Sequence, residues 1–473
     1  MLSRRTKIVA TLGPASDAPA TLDAMIAAGL DCVRLNCSHG TPDDLRRRAV
    51  AVRAAAVRAD RPIGLLFDLQ GPKLRLSAST VERTVEAGEE VLIVGSAPDD
   101  GAISHDMLVV DFPRFAELVT ERSEIVIGDG VPRFVVDTLT ERGDAHARAL
   151  TPGVIGPRKG VNVTYARPSL PAMTEKDVAD LAIAVELDAD FVALSFVRSA
   201  ADIELLRQGL AIRGSSARTI AKIEKIEAHE HLDEILAVAD GVMVARGDYG
   251  VEAGVARVPL MQKDTIYRAT QVGKTVITAT QMLESMINAP EPTRAEVADV
   301  ANAVIDGSSA VMLSAETGVG KYPVEAVRVM SEIALAAEES PVILGRARGD
   351  APDPPAAAVV HSALELADRL DAVAIVIPTA TGGGARACCK YRPTRPIIAF
   401  AHNERVARQL NLEWGVYPFP IEIHDSVDEL VEDALQRTKA HGDFKAGATV
   451  VLTAGRSTGT PGATSLVMVR DLP

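Results

Sequence analysis

Eight times along the chain a short run rich in Val, Ile and Leu ends in polar or glycine residues, most often with a helix-like pattern after it. The runs are KIVATLG from Lys7, CVRLNCSHG from Cys32, IGLLFDLQG from Ile63 and DFVALSF from Asp190. They continue with RTIAKIE from Arg218, GVMVARGD from Gly241, TVITATQ from Thr275 and SAVMLSAE from Ser309. Apolar residues without alternation mark strands buried on both faces, and intervening helices imply parallel pairing. Eight such units predict an α/β fold, a closed (β/α)8 TIM barrel. Helix starts are marked as well: Thr174 with Asp177 and Thr293 with Glu296 fit the capping-box spacing.

Two regions break this rhythm. Between about 74 and 167, β-type segments such as EEVLIVG and SEIVIGDGVPRFVVD alternate with turn residues, predicting a small β-barrel lid domain inserted in a barrel loop. After ILGRARGDAPDPP a fresh α/β pattern predicts a C-terminal domain over 352–473, leaving 1–73 and 168–345 as the two parts of the barrel. A formal charge of −14 argues against a surface that coats nucleic acid, so an anion site must be a local basic cluster. The four cysteines have no zinc spacing and read as reduced thiols. No signal peptide and no apolar run of membrane-spanning length is visible, and a soluble, cytoplasmic protein without a membrane partner is expected.

In such a barrel the carboxyl ends of the strands share one mouth, and polar residues there are site candidates. They are Arg34, Asn36, Ser38 and His39; Asp68, Lys73 and Arg75; Ser195; Lys222 and Glu224; Arg246, Gly247 and Asp248; Thr278 and Thr280; Ser314 and Glu316. In an extended DLQGPKLR segment Lys73 and Arg75 point the same way. Several cations suit a phosphorylated anion, and the carboxylates of Glu224 and Asp248 on adjacent strands suit Mg²⁺, which takes few protein ligands. The start of the helix at RGDYG offers free amides for a small carboxylate. Taken singly, each residue has a plainer reading: Lys222 and Glu224 as an ion pair, Thr280 as a strand hydroxyl, His39 as a loop residue. Polar endings on many strands together would be poor packing unless they line a site.

The strings VRLNCSHG, DGVMVARGDYG, ATQMLESM, PTRAEVADVANAVIDG and VMLSAETGVGKYPVEAV resemble the motifs of pyruvate kinases, as do KGVNV and SLPAMTEKD around the insert. KIEK departs from the usual KIEN at Lys225, and Ala315 stands for a Gly. The resemblance implies phosphoryl transfer from phosphoenolpyruvate to ADP, giving pyruvate and ATP, with Mg²⁺ (or Mn²⁺) and a homotetramer. By motif position, Arg34 would bind the phosphoryl group and Lys222 would neutralise it in transfer. Glu224 and Asp248 would hold the metal, and the Gly247 and Asp248 amides would seat the substrate carboxylate. Thr280 would lie beside the carbon that is protonated, with Ser314 in the proton relay. Asn36, His39, Arg75 and the lid residue Lys159 would serve the nucleotide.

Many members of that family need K⁺, held by the counterparts of Asn36, Ser38, Asp68 and the residue after it. Here Leu69 and Gln70 alter the motif, and Lys73 stands where the family has Glu, reversing a charge. The expectation is that Lys73 fills the monovalent-cation site and K⁺ is not required; the alternative leaves K⁺ on Asn36, Ser38 and Asp68 while Lys73 faces solvent. In the C-terminal domain the effector loop reads TATGGGA, with Thr379 and Thr381 kept and Gly383 and Gly384 replacing side chains that would donate to phosphate. A phosphorylated effector is expected there, with Arg456 nearby, and fructose 1,6-bisphosphate is disfavoured. Two rivals are another phosphoenolpyruvate or pyruvate-enolate barrel enzyme and a non-enzymatic paralogue. The inserted lid opposes the first, and intact Lys222, Glu224, Asp248 and Thr280 oppose the second.

Overall fold

The computed structural model describes residues 4–97, 103–128, 130–163, 170–340, 355–455 and 464–473. The eight apolar runs become β1 (Lys7–Thr11), β2 (Cys32–Asn36), β3 (Gly64–Leu69) and β4 (Phe191–Leu194), then β5 (Arg218–Ile223), β6 (Gly241–Ala245), β7 (Thr275–Ala279) and β8 (Ala310–Leu313). Each pairs in parallel with its sequence neighbour, and β1 closes on β8 with Lys7 opposite Ala310. Nearly every strand residue is buried, because helices cover the outside and side chains fill the inside. The two capping boxes are formed: Thr174 accepts from the Asp177 amide and Thr293 from the Glu296 amide.

Between β3 and β4 the chain builds a seven-stranded sheet. Its stem pairs Leu74–Arg75, the outgoing strand, antiparallel with Gly160–Val163, the returning one. A separate apolar core around Phe115, Phe134 and Ile125 supports this lid. The C-terminal sheet holds β9 (Ala374–Thr379), β10 (Ile397–Ala401), β11 (Val416–Pro420), β12 (Thr449–Gly455) and β13 (Thr464–Asp471). Its order is β11-β10-β9-β12-β13, all parallel except the last pair. The linker region 341–354 and Arg456 lie outside the described residues.

The C-terminal domain docks on the amino-terminal face of the barrel, away from the mouth. Arg408 pairs with Asp190 at 2.8 Å, Lys7 donates to the Val416 carbonyl at 2.5 Å, and Asn411 donates to the carbonyls of Asp31 and Pro62. Leu412 joins a buried cluster with inward residues from all eight strands, from Val9 and Cys32 to Met243 and Met312. All four cysteines are buried free thiols.

Candidate active site

Strand register brings the polar endings to one level. Asn36 on β2 lies opposite Asp68 on β3, and Asp68 opposite Ala193 on β4. An open cavity at this mouth is lined by Arg34, Asn36, Ser38, His39, Asp68, Lys73, Arg75, Ser195, Lys222, Glu224, Gly247, Asp248 and Thr280. Thirteen of the residues expected to form a site, Ser195 among them, thus meet in one place.

Asp68 is the hub. Its Oδ2 accepts from Arg34 Nε at 2.7 Å, and its Oδ1 lies 3.2 Å from Lys222 Nζ. Burial opposes its ionisation, but the Lys222 and Arg34 charges outweigh that and hold its carboxyl below the ordinary value. Lys222 also touches Glu224 Oε1 at 3.0 Å and Ser195 Oγ at 2.7 Å. Burial would strip its proton, yet Asp68 and Glu224 keep the ammonium charged, with its pKa raised. Arg34 is fixed from a second side, since its Nη1 donates to Thr11 Oγ1 at 3.0 Å. Two cations are therefore locked toward one cavity by acids beneath them, which is the preorganisation an anionic transition state requires.

Glu224 and Asp248 are the acid pair. Burial first, and then the Asp248 charge, push the Glu224 carboxyl up despite Lys222 and a 2.9 Å hydrogen bond from the Phe196 amide. Two carboxylates repelling each other across a cavity fit a divalent cation, which completes its shell with water and substrate oxygens. Among the described residues no cluster of three or more acidic, His or Cys side chains has ligating geometry.

Lys73 sits differently from its expected seat. Its ammonium contacts Asp248 at 2.9 and 3.2 Å and lies 5.8 Å from the Phe196 ring centroid. No hydrogen bond or ion pair joins it to Asn36, Ser38 or Asp68 among the described residues, although all four line the same cavity. The physical reason is local: Arg34 and Lys222 already satisfy Asp68, whereas Asp248 has no other cation within ion-pair reach among the described residues.

Other expected residues are more peripheral. Lys159 donates to the Val154 carbonyl within the lid, and Arg75 donates to the Arg158 carbonyl while still lining the cavity. The Ser314 hydroxyl is buried without a partner among the described residues, outside the cavity lining, and its amide donates to Glu316. Glu316 and Thr278 are structural: Glu316 also accepts from the Leu283 amide, and Thr278 bonds Ser308. Burial first, then Arg75, Arg34 and Lys73, lower the His39 pKa. In the C-terminal domain the Gly382 amide donates to Thr379 Oγ1, Arg386 donates to the Thr381 carbonyl, and Gly383 opens a helix through Cys389. A Cβ on Gly384 would meet Ile377 at 3.3 Å.

Sequence reasoning missed the part played by Thr11, which ties Arg34 to the Leu313 carbonyl. It also missed the left-handed backbones at Phe196, Thr280 and Gln281, which no composition signal announces in non-glycine residues.

Comparison with known proteins decides the family. The model of the pyruvate kinase barrel domain matches residues 3–327, and that of the pyruvate kinase alpha/beta domain matches 357–470. The chain belongs to the pyruvate kinase family. It is 39% identical to the pyruvate kinase of Mycobacterium intracellulare across all of this chain and 99% of that one. It is 40% identical to that of Geobacillus stearothermophilus over 99% of this chain and 80% of the relative. The pyruvate kinase of Methylorubrum extorquens is 39% identical over 99% and 97% of the two chains. The pyruvate kinase motifs therefore sit on a phosphotransferase, with the barrel and α/β domain expected from them. No described helix is long and apolar enough to cross a membrane.

Proposed function

We propose that the cavity transfers the phosphoryl group of phosphoenolpyruvate to ADP, with Mg²⁺ on Glu224 and Asp248 and without a need for K⁺. The observation that carries this reading is the Arg34–Asp68–Lys222 bridge facing the Glu224 and Asp248 carboxylates. Bound Mg²⁺ would supply charge neutralisation and orientation of substrate oxygens. Arg34 and Lys222 hold the migrating phosphoryl group from the barrel side, and Arg75 at the lid stem with His39 after β2 meets the nucleotide phosphates. In-line transfer through a loose transition state needs this positioning and charge rather than a protein nucleophile. The Gly247 amide, which donates to Thr280 Oγ1 at 2.9 Å, would donate to the substrate carboxylate beside the hydroxyl nearest the enolate carbon.

K⁺ independence rests on charge arithmetic. A unit charge about 4 Å from the phosphoryl group is worth roughly 4 kcal/mol at an effective dielectric near 20. That is about a thousandfold in rate, and Lys73 carries such a charge into the cavity. With a divalent ion held by Glu224 and Asp248, the Lys73 ammonium would lose its partner Asp248 and could serve Asn36, Ser38 and Asp68 instead. Residues 74–167 act as the lid that excludes water, and 352–473 as a regulatory domain for a phosphorylated effector other than fructose 1,6-bisphosphate, in a homotetramer. A coupled assay of ATP formation with Mg²⁺ in tetramethylammonium buffer tests the whole reading: undiminished activity without K⁺ is expected, and strict K⁺ activation overturns the role of Lys73.

A further inference from the structure

Thr280 and Gln281 follow β7 with φ of +67° and +55°. Two consecutive left-handed residues, the first β-branched, store strain that the surroundings must hold. Arg246 does so. Its Nε donates to the carbonyls of Ala279 and Thr280, both at 3.2 Å. Its Nη2 donates to the carbonyls of Thr280 at 2.6 Å and Gln281 at 3.3 Å. The remaining nitrogen, Nη1, is anchored on Asp299 at 2.7 and 2.8 Å and reaches Gln262 at 3.4 Å. The side chain is only 10% exposed.

We propose that Arg246 is a positioning residue for Thr280: anchored by Asp299, its guanidinium fixes the left-handed turn that presents the Thr280 hydroxyl to the cavity. The hydroxyl is itself held between the Gly247 amide (2.9 Å) and the Ala279 carbonyl (2.6 Å). Arg246 is also the first residue of the helix Arg246–Ala253, which carries Gly247 and Asp248. One residue thus couples the proposed carboxylate seat, through its backbone, to the hydroxyl beside the reacting carbon, through its side chain. A single ammonium could not share three carbonyls and an acid at these angles, whereas a planar guanidinium with five donors does.

The inference builds on the reading of Thr280 above, and the test separates the two. Protonation of the enolate forms a methyl C–H bond, so the reverse step exchanges pyruvate methyl protons with solvent. That exchange is read by NMR in D₂O with ATP and Mg²⁺. Phosphoryl transfer is read separately as ATP formed in a single turnover of phosphoenolpyruvate and ADP, because it precedes protonation. Asp299→Ala removes the anchor from a half-exposed position, and Arg246→Lys keeps the charge but not the fork. Both are expected to slow methyl exchange at least tenfold while single-turnover ATP formation changes less than threefold. Arg246→Lys should retain more exchange than Arg246→Ala. Equal losses in both readouts, or none, would overturn the proposal. Thr280→Val is the control: if it abolishes exchange while Asp299→Ala does not, only the role of Arg246 fails. If Thr280→Val exchanges at the parental rate, the reading of Thr280 fails and takes the inference with it.

Discussion

At the scale of single residues, the proposed chemistry centres on the charged pair over Asp68. Lys222→Met should lower turnover by about a thousandfold, the loss expected for one charge close to the transferring group. Phosphoenolpyruvate should still bind, because Arg34 keeps its two anchors on Asp68 and Thr11. Calorimetric titration and steady-state rates check both halves. Lys73→Gln should leave a protein that is slow in tetramethylammonium buffer and accelerated by KCl, since the acceptors Asn36, Ser38 and Asp68 remain; an unchanged response to K⁺ would count against the charge argument. The residues that meet at the mouth were legible because each ends an apolar run, and strand register does the rest. The seat of Lys73 was not legible. It depends on which acid is left unpaired after Arg34 and Lys222 have chosen theirs, a competition that only three-dimensional distances decide.

At the scale of elements, the loop from β3 into the lid is pinned at Gly71. Its φ is +69°, and its amide donates to Asp177 Oδ1 at 3.0 Å. A Cβ there would lie 2.9 Å from the Ser195 carbonyl oxygen. Gly71→Ala should therefore cost about 2 kcal/mol, the left-handed penalty at its upper end, and displace Lys73 two residues on, with slowed turnover in tetramethylammonium buffer as the functional readout. Asp177 serves twice, capping its helix with Thr174 and holding this loop. Asp177→Ala should thus lose more than the roughly 1 kcal/mol of an ordinary cap, whereas Thr293→Ala should lose about that amount; thermal denaturation of both variants compares them. The capping box at Thr174 was visible as a pattern of side chains. Its second use was hidden, because the partner is a backbone amide 106 positions away. The left-handed turns at Phe196 and Thr280 were hidden for a related reason: tertiary bonds impose them on residues whose own preference lies elsewhere.

At the scale of the whole molecule, the C-terminal domain is joined to the barrel by buried charge. Burial raises the Asp190 pKa in spite of Arg53 and Arg408. An acid whose folded pKa is raised costs stability once the pH climbs above its unfolded value, near 3.9, and the cost grows until the pH passes the folded value. Removing Arg408 lifts that folded value further. Arg408→Met should therefore lower the unfolding free energy more at pH 8 than at pH 5, by about 3–5 kcal/mol at the higher pH, as expected for one partner of a buried pair. Equal losses at both pH values would show that packing rather than charge is at stake. Leu412→Ala should cost about 2–5 kcal/mol, because its side chain is fully enclosed among inward residues of the barrel. That enclosure has a further meaning. The same packed column has Leu412 at its foot and Met243 with Met312 near its top, where both border the reaction cavity. Close-packed interiors yield little under load. The catalytic chamber thus stands on a pillar whose base belongs to another domain, and a shift of the Leu412 segment would be felt under the substrate without any signal crossing the outer helices.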